Sequence, residues 1–428
     1  MKCLVGFGSN LGDRFENLEG AAKRLCLLAP VSRFRVSPVY ETTALVPPGA
    51  PDTWHIPFLN AVVEFEWEGS CEDLLTAIKQ IESFMGRVSA ERWAPRLIDM
   101  DILFFGDAKI NTDTLKVPHP GVWERDFVLA PLREIAPTLR FPGKDETVFS
   151  RARKLCRNMP LWMGILNLTP DSFSDGGALA DTGAFRQKVD AFEQSGVAFF
   201  DVGAESTRPG ASEVSPSEEW ARLLPALEFL KERYRDRIFR PRISVDTRRS
   251  YIAGKALECG ANCINDVSGL SDPAMLRLLR ESSCDIVLMH SLSVPADGKV
   301  TLSEECDVVG MAKTWAERRI VGLADVGIDP SRIIFDPGIG FGKTARQSLA
   351  LLQGAETFLS LPVRILIGHS RKSFINAWGE RRAGDRDWES VGISLRMSMR
   401  GMDILRVHEP QFHIRAHRAF QGARAWKT

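Results

Sequence analysis

The stretch Ile243-Ser244-Val245-Asp246 is a short apolar run that ends in a carboxylate, and this pattern decides the fold of the C-terminal part of the chain. Eight such runs follow residue 160, and nearly all end in a polar or charged residue: 164–167, 198–201, 243–246, 263–266, 286–290, 333–336, 365–368 and 404–408. Segments with helical spacing lie between most of the runs. Eight buried strands joined by helices over about 250 residues predict a (β/α)8 TIM barrel, whose active site lies at the carboxyl ends of the strands.

The first part of the chain alternates between the spacing of strands and the spacing of helices. Strands are predicted at 2–7, 32–40, 58–67 and 98–105, and helices at 14–28 and 71–85. The order β-α-β-β-α-β is typical of a ferredoxin-like α+β fold. A long loop rich in proline and glycine, 44–57, separates the second and third strands, and loops of this length usually serve a site.

Between these two parts, residues 142–160 lack apolar periodicity and contain several basic side chains, which predicts a linker or a short helix. The predicted organisation is a first domain over 1–141, a linker over 142–160 and a barrel domain over 161–428. The length of 428 residues agrees with this division, because one domain typically has about 100–200 residues.

Composition and charge exclude several classes of protein. Lys plus Arg and Asp plus Glu both number 55, so no net charge favours a nucleic-acid or membrane partner. No apolar run approaches the roughly 18 residues of a transmembrane helix, and the first residues lack the apolar core of a signal peptide. The eight cysteines include no Cys-x-x-Cys pair, which favours reduced thiols and predicts a cytoplasmic protein. Monomer and homodimer both stay open.

Polar residues at the ends of the barrel strands predict the ligand chemistry of the second domain. Three carboxylates and an amide meet at one end of the barrel: Asp201, Asp246, Asn265 and Asp336. Such groups suit a flat heterocycle rich in N–H donors, because paired carboxylate oxygens accept parallel N–H bonds. A second set suits phosphate or diphosphate: Asn167, Arg208, Lys372, Arg406 and His408.

A glycine-rich stretch at 336–344 has the spacing of an ATP-binding P-loop but does not match it. That motif requires glycine where Pro337 stands, so no ATP site is predicted here. The glycines instead allow the backbone to pass close to a ligand.

In the first domain, Asp99 and Asp101 lie two residues apart on a predicted strand, so their carboxylates share one face. Such a pair favours a bound cation, and Mg²⁺ is the hard ion that suits oxygen ligands; two solvated acids are the alternative interpretation. Arginines and a histidine surround the pair: Arg87, Arg92, Arg96, His119 and Arg125. This combination is typical of phosphoryl transfer, with a purely structural role as the alternative for His119.

The second domain resembles dihydropteroate synthases over about 250 residues, with the family's motifs in order at 163–177, 203–210, 244–247, 264–266, 336–343, 370–373 and 406–408. The resemblance implies a pterin site formed by Asp201, Asp246, Asn265, Asp336 and Lys372, with Asp336 and Lys372 catalytic. It implies a diphosphate site with one Mg²⁺ at Asn167, completed by Arg208, Arg406 and His408. It implies a 4-aminobenzoate site formed by Thr207, Pro209, Phe341 and Ser370.

The first domain resembles hydroxymethyldihydropterin pyrophosphokinases over about 140 residues, in the motifs 8–13, 58–61, 91–101 and 117–120. The resemblance implies ATP as a substrate and two Mg²⁺ ions at the catalytic pair Asp99 and Asp101. It implies catalytic Arg87 and Arg96, and nucleotide-binding Glu82, Arg92, Ile102, His119 and Arg125. It also implies a pterin site formed by Asn60, Phe58 and Phe127.

Together the two resemblances predict consecutive steps of folate biosynthesis on one chain, with small molecules as the partners. The first step is ATP-dependent pyrophosphorylation of 6-hydroxymethyl-7,8-dihydropterin. The second is condensation of the diphosphate ester with 4-aminobenzoate, which gives 7,8-dihydropteroate and diphosphate. The alternative is a pterin-binding methyl-transfer barrel with a non-catalytic N-terminal module, which would not use Arg406 and His408 as a diphosphate site.

Overall fold

The computed structural model describes residues 1–87, 91, 93–168, 183–205, 213–293 and 300–425. The chain forms two compact units. Unit 1 consists of residues 1–159 with 236–240 and the residues from 425 onward, and unit 2 consists of 160–235 and 241–424. Every helix within the described ranges is too short or too polar to span a lipid bilayer.

Unit 1 is built on an antiparallel sheet with the strand order β2-β4-β1-β5, in which β3 also pairs with β4. The strands are β1 (Lys2–Ser9), β2 (Val31–Val36), β3 (Tyr40–Thr42), β4 (Phe58–Trp67), β5 (Asp99–Phe105), and a separate pair, β6 (Ile110–Asn111) and β7 (Lys116–Val117). The helices are α1 (Arg14–Cys26), α2 (Cys71–Phe84), α3 (Asp126–Arg133), α4 (Val148–Leu155) and a 3-10 turn, Asp52–Trp54. The predicted ferredoxin-like α+β fold is confirmed.

The core of unit 1 lies between the sheet and helices α1 and α2. Cys3, Val5 and Phe7 alternate along β1 and are almost fully buried, as expected for the inner face of a strand. Leu18 and Leu25 lie seven positions apart on α1, on one face of the helix, and both are buried in the same core. The alternating and the helical apolar patterns therefore meet in one cluster.

The prediction of one continuous strand over 32–40 is wrong, because the segment forms two strands, β2 and β3. Ser37, Pro38 and Val39 separate them. Pro38 has no N–H for the ladder, and the Ser37 hydroxyl accepts a hydrogen bond from the backbone N–H of Val62 at 2.9 Å. The Ser37 N–H still donates to the Val62 carbonyl at 2.9 Å, so backbone and side chain of Ser37 together pair with Val62, and the chain resumes pairing as β3 at Tyr40.

Helix α4 lies inside the predicted linker 142–160. Thr147 caps its start, because the Thr147 hydroxyl accepts the backbone N–H of Ser150 at 3.2 Å. The continuous part of unit 1 extends through this helix to residue 159. The boundaries 1–141, 142–160 and 161–428 stay predictions.

Unit 2 is a closed barrel of eight parallel strands, which confirms the predicted TIM barrel. The strands are β8 (Leu161–Asn167), β9 (Phe199–Gly203), β10 (Arg242–Asp246), β11 (Cys263–Asp266), β12 (Asp285–Met289), β13 (Ile333–Asp336), β14 (Arg364–Ile367) and β15 (Ile404–Val407). The α-helices are α5 (Gly183–Ser195), α6 (Pro216–Arg233), α7 (Ser250–Glu258), α8 (Pro273–Glu281), α9 (Val308–Asp325), α10 (Ala345–Gln353), α11 (Asp387–Met399) and α12 (Pro410–Ala425). Short 3-10 segments cover Pro330–Arg332, Ala355–Ser360, Ser373–Trp378 and Ala383–Arg386.

The barrel strands bury nearly every apolar side chain, which explains why they appear in the sequence as continuous apolar runs. The polar residues at or near their carboxyl ends occupy one end of the barrel. We call this end the barrel mouth and define it by Asp201, Asp246, Asn265, Asp336 and Arg406.

Candidate active sites

Strand β5 places Asp99 and Asp101 on one face of the sheet of unit 1. Gly8 and Gly6 of β1 stand directly opposite Asp99 and Asp101 in the antiparallel pairing. A Cβ atom at Gly8 would lie 3.2 Å from the side-chain oxygen of Asn60, tighter than most contacts of this kind. Glycine at position 8 therefore leaves space next to Asn60, in a pocket that Asp99 and Asp101 also line.

This space is a pocket of about 200 Å³. It brings together many of the residues predicted for the first site: Phe58, Asn60, Arg96, Asp99, Asp101, His119, Arg125 and Phe127. Glu82, Arg87 and Ile102 are predicted residues that do not line it in the described part of the chain. Arg92 lies outside the described residues.

Asp99 is held by two arginines. Its carboxylate lies 2.8 Å from Arg87 and 3.2 Å from Arg96. Arg87 also pairs with Glu82, a buried side chain that accepts the backbone N–H of Met100 at 2.8 Å. Glu82 therefore positions Arg87 behind Asp99 and does not itself face the pocket.

Asp101 and His119 have shifted pKa values of opposite direction. Burial raises the pKa of the Asp101 carboxyl, and the charge of Asp99 adds to this rise. Burial lowers the pKa of His119, against the attraction of Asp101. Nδ1 of His119 accepts the N–H of Gly121 at 3.1 Å, so Nε2 carries the proton of the neutral ring. The pocket thus holds two close carboxylates beside a neutral imidazole.

The carboxylate pair fits Mg²⁺ that arrives with a phosphate-bearing substrate. The described residues contain no group of three or more His, Cys, Asp or Glu side chains able to hold a metal ion. Mg²⁺ usually takes one or two protein carboxylates and completes its shell with water and substrate phosphates. Asp99 and Asp101 could therefore hold it without a third protein ligand.

Several residues that line the pocket were not predicted from the sequence to do so: Thr42, Thr43, Leu45 and Trp93. Thr42 comes next to Phe58 through the pairing of β3 with β4, and its hydroxyl accepts the Asn60 amide at 2.8 Å. The local spacing of residues in the sequence does not indicate which strands pair over such a distance. Leu45 belongs to the loop 44–57, for which a role at a site was predicted.

At the barrel mouth, side chains from the four strands β9, β10, β11 and β15 bond to one another. The Arg406 guanidinium lies 2.6 Å from the Asp201 carboxylate and 2.9 Å from the Asp246 carboxylate. Asp201 is fully buried and also accepts the Ser244 hydroxyl at 2.6 Å and the Asn265 amide at 3.3 Å. Ser244, whose contact with the site was not predicted from the sequence, thus helps to hold the Asp201 carboxylate in place.

Asp336 ends β13 at the start of the glycine-rich loop. Its carboxylate accepts the backbone N–H of Gly338 at 2.8 Å. Lys372 donates a hydrogen bond to the backbone carbonyl of Ile339, and its ammonium lies 4.7 Å from the ring centroid of Phe341. The loop is therefore anchored to Asp336 at one end and contacted by Lys372 at its middle.

Burial dominates the pKa values at the barrel mouth. It raises the pKa of Asp246 to about 7, although the Arg406 charge opposes the rise. It also raises the pKa of Asp336, against the charge of Lys372. Burial lowers the pKa of Lys372 to about 8, against the attraction of Asp336. Asp246 and Lys372 therefore change protonation near neutral pH.

The remaining predicted residues of the barrel lie at neighbouring strand ends. Ser370 follows β14, and its hydroxyl lies 3.0 Å from Nδ1 of His408. Asn167 ends β8 and pairs with Gly203 of β9. Three predicted residues lie outside the described residues: Thr207, Arg208 and Pro209.

Comparisons with known proteins match both units. The family of pterin binding enzymes matches residues 163–408, and the family of 7,8-dihydro-6-hydroxymethylpterin-pyrophosphokinases matches residues 4–137. The folate synthesis bifunctional protein of Chlamydia trachomatis is 36% identical, over 99% of this chain and 97% of the relative. That of Chlamydia muridarum is 34% identical over the same shares. The solved structure of Xanthomonas albilineans dihydropteroate synthase with 4-aminobenzoic acid is 34% identical, with a TM-score of 0.57, and covers 63% of this chain and 94% of that chain.

The two family matches follow the same order as the two units, and the curated relatives extend over nearly the whole chain. The pyrophosphokinase match coincides with the unit that carries Asp99 and Asp101, and the pterin match coincides with the barrel. The chain therefore belongs to the family of bifunctional hydroxymethyldihydropterin pyrophosphokinases and dihydropteroate synthases, transferases that catalyse two consecutive steps of folate biosynthesis.

Proposed function

We propose that the pocket of unit 1 transfers diphosphate from ATP to 6-hydroxymethyl-7,8-dihydropterin, and that the barrel mouth joins the product to 4-aminobenzoate. The first reaction releases AMP, and the second gives 7,8-dihydropteroate and diphosphate. One observation carries this assignment: each site places side chains suited to a flat ring next to charged side chains suited to phosphate.

In unit 1, the pterin would stack between Phe58 and Phe127 and bond to Asn60. These three side chains line the same pocket as Asp99 and Asp101. The hydroxymethyl group of the pterin would then face the carboxylates, and the ring would be excluded from water by the aromatic side chains.

The charged half of the pocket would bind ATP. Asp99 and Asp101 would hold two Mg²⁺ ions, which supply charge neutralisation for the transferred phosphates. The remaining roles concern positioning and phosphate contact, and we assign them to Arg87, Arg92, Arg96, His119 and Arg125. Glu82 and Ile102 would lie toward the nucleoside, with Glu82 acting through Arg87, to which it is paired.

In the barrel, carboxylate and amide oxygens would accept the N–H groups of the pterin. The residues are Asp246, Asn265 and Asp336, with Asp201 supporting Asn265 through their hydrogen bond at 3.3 Å. Lys372 would contact the ring from the side of the glycine-rich loop. Buried carboxylates suit this task, since a hydrogen bond to a charged acceptor is about twice as strong as a neutral one.

The condensation breaks the bond between the methylene carbon and the diphosphate oxygen and forms a bond from that carbon to the amine nitrogen, which loses a proton. Asp336 and Asp246 would stabilise the positive charge that develops on the pterin. The departing diphosphate would contact Asn167, Arg208, Arg406 and His408, and Asn167 would also hold one Mg²⁺. The 4-aminobenzoate would lie among Thr207, Pro209, Phe341 and Ser370.

The test is a product analysis on the full chain. ATP, Mg²⁺ and hydroxymethyldihydropterin should give AMP and the diphosphate ester, and added 4-aminobenzoate should convert the ester into dihydropteroate and diphosphate. Failure to form AMP would remove the assignment of unit 1. Failure to form dihydropteroate from the preformed ester would remove the assignment of the barrel.

The alternative of a methyl-transfer barrel with a non-catalytic N-terminal module is not supported, because the curated relatives over 99% of the chain are folate synthesis bifunctional proteins. A cytoplasmic location stays a prediction, as does the choice between monomer and homodimer.

A further inference from the structure

Lys343 is a buried lysine at the end of the glycine-rich loop 337–342, and no role has been assigned to it above. Only 6% of the surface of Lys343 is exposed to solvent. The ammonium nitrogen donates two hydrogen bonds, to the backbone carbonyls of His290 and Phe341, both at 2.9 Å. Lys343 therefore ties the end of β12 to the loop that follows β13.

The loop runs so close to β12 that its position depends on this tie. Gly338 has a φ of +70°, and a Cβ atom there would lie 2.0 Å from the carbonyl oxygen of His290 and 3.2 Å from the Lys343 nitrogen. Only glycine allows this approach. The buried carbonyl of His290 thus finds its donor in the lysine side chain.

On the other side, the same loop is contacted by Lys372. That side chain donates to the carbonyl of Ile339 and lies 4.7 Å from the centroid of the Phe341 ring. Phe341 is therefore held twice: Lys343 bonds its backbone, and Lys372 lies over its ring. A shift of the Phe341 backbone would change the contact between this ring and Lys372.

The surroundings of Lys343 suit a hydrogen-bond donor more than a charge. Burial lowers the pKa of Lys343 to about 7, with Asp336 opposing this shift and Lys372 adding to it. The imidazole of His290 is neutral, since burial lowers its pKa to about 3. A neutral amine retains two N–H groups, which match the two carbonyl acceptors.

We propose that Lys343 is a positioning residue of the condensation: it fixes the backbone of Phe341 so that this ring keeps its place in the aminobenzoate site, next to Lys372. The proposal rests on the proposed function of the barrel mouth. Lys343 itself would not contact substrate, so the effects of its substitution must appear through Phe341.

The experiment compares the full chain with the variants Lys343→Met, Phe341→Leu and the double variant. Lys343→Met removes both donors at nearly constant length, and we expect the KM for 4-aminobenzoate to rise about tenfold while kcat changes by less than about threefold. Affinity for the pterin alone should change by less than about twofold. Because Lys343 acts through Phe341, the KM of the double variant for 4-aminobenzoate should exceed that of Phe341→Leu by no more than about twofold.

Lys313→Met serves as the matched control, since Lys313 pairs with Glu317 on α9 and is remote in sequence from every residue assigned to the site. It should leave the KM unchanged. If Lys343→Met does not fold, as judged by thermal unfolding, the same measurements on Lys343→Gln decide the matter. Its amide nitrogen is one bond closer to the backbone than the lysine nitrogen, so it should not reach both carbonyls, and a raised KM with preserved kcat supports the proposal.

Two failures are distinguishable. An unmodified chain that makes no dihydropteroate would remove the proposed function itself. An active chain whose Lys343 variants keep the normal KM, or whose double variant multiplies the two single effects, would overturn the positioning role alone.

Discussion

In the pocket of unit 1, Asp101 has no ion-pair partner among the described residues, whereas at the barrel mouth Asp201 and Asp246 share the guanidinium of Arg406. Asp99, the neighbour of Asp101, is paired with arginines. The Asp101 carboxylate thus lacks an ion-pair partner among the described residues, whereas Asp201 and Asp246 have one in Arg406.

This difference indicates what each site receives. A half-buried carboxylate without an ion-pair partner favours a cation, and Mg²⁺ bound to ATP phosphates supplies one. A set of carboxylates already paired with Arg406 can receive a neutral ring such as a pterin without a large change in net charge. The first site should therefore depend on its carboxylates for charge, and the second on the balance between its carboxylates and its cations.

The largest effect is expected from Asp101→Asn. The substitution removes the uncompensated charge while keeping the shape of the side chain, so AMP formation should fall on the order of 10³-fold or more. Condensation of the preformed diphosphate ester should remain within about twofold, because Asp101 belongs to the other unit. Separate assays of AMP and of dihydropteroate measure the two activities.

Asp107→Asn is the matched control, since Asp107 follows the same strand and is exposed. It should leave both activities unchanged. Loss of both activities in Asp101→Asn would contradict the independence of the two sites.

Lys372→Ala tests the second half of the comparison. It removes a cation that faces Asp336 and contacts the Phe341 ring, so condensation should fall by about 10²–10³-fold. AMP formation should be unchanged. Normal condensation kinetics in this variant would remove the role of Lys372, and Lys313→Ala provides the control for loss of a lysine elsewhere in the barrel unit.

The sequence predicted the barrel well because its signal is local. Each strand of a parallel barrel is buried on both faces, so it appears as an apolar run, and the observed strands start or end within three residues of the predicted ones. The prediction of one strand over 32–40 was wrong because Pro38 has no backbone N–H to donate. The effect of Pro38 depends on the pairing with β4, which the spacing of apolar residues does not reveal.

The site was predictable in its residue types and less so in its contacts. The polar strand ends predicted Asp246 as a ligand of the heterocycle and Arg406 as a ligand of the diphosphate. Their mutual bond at 2.9 Å could not be foreseen, because it joins residues 160 positions apart through the closure of the barrel. The same holds for the bond from Lys343 to the His290 carbonyl, which joins residues 53 positions apart.

The pH dependence of condensation tests the barrel mouth further, and the expected effect is smaller. The raised pKa of Asp246, about 7, means that its carboxylate is present mainly above that pH. The lowered pKa of Lys372, about 8, means that its ammonium is present mainly below that pH. Hence kcat/KM for condensation should rise with pH through about 7 and fall beyond about 8.

Lys372→Arg should move the falling limb of this profile to higher pH, because a guanidinium stays protonated, even though its overall activity is lower. AMP formation by unit 1 should not share these two limbs. A condensation profile that is flat from about pH 6 to about pH 9 would contradict the assigned groups.

The smallest effect concerns the pairing that distinguishes the barrel mouth. Arg406 opposes the rise in the Asp246 pKa, so Arg406→Gln should raise that pKa further. Since Asp246 would accept the pterin N–H groups as a carboxylate, affinity for the pterin should rise with pH through this pKa, and Arg406→Gln should shift this rising limb upward by about one pH unit or more. Binding of 6-hydroxymethylpterin followed by calorimetry measures this without requiring diphosphate. Arg400→Gln, which alters an arginine paired with Glu356, should leave the limb in place. If the limb stays at about pH 7 in Arg406→Gln, Asp246 does not depend on Arg406 for its ionisation, and compensation by shared charge is not what separates the two sites.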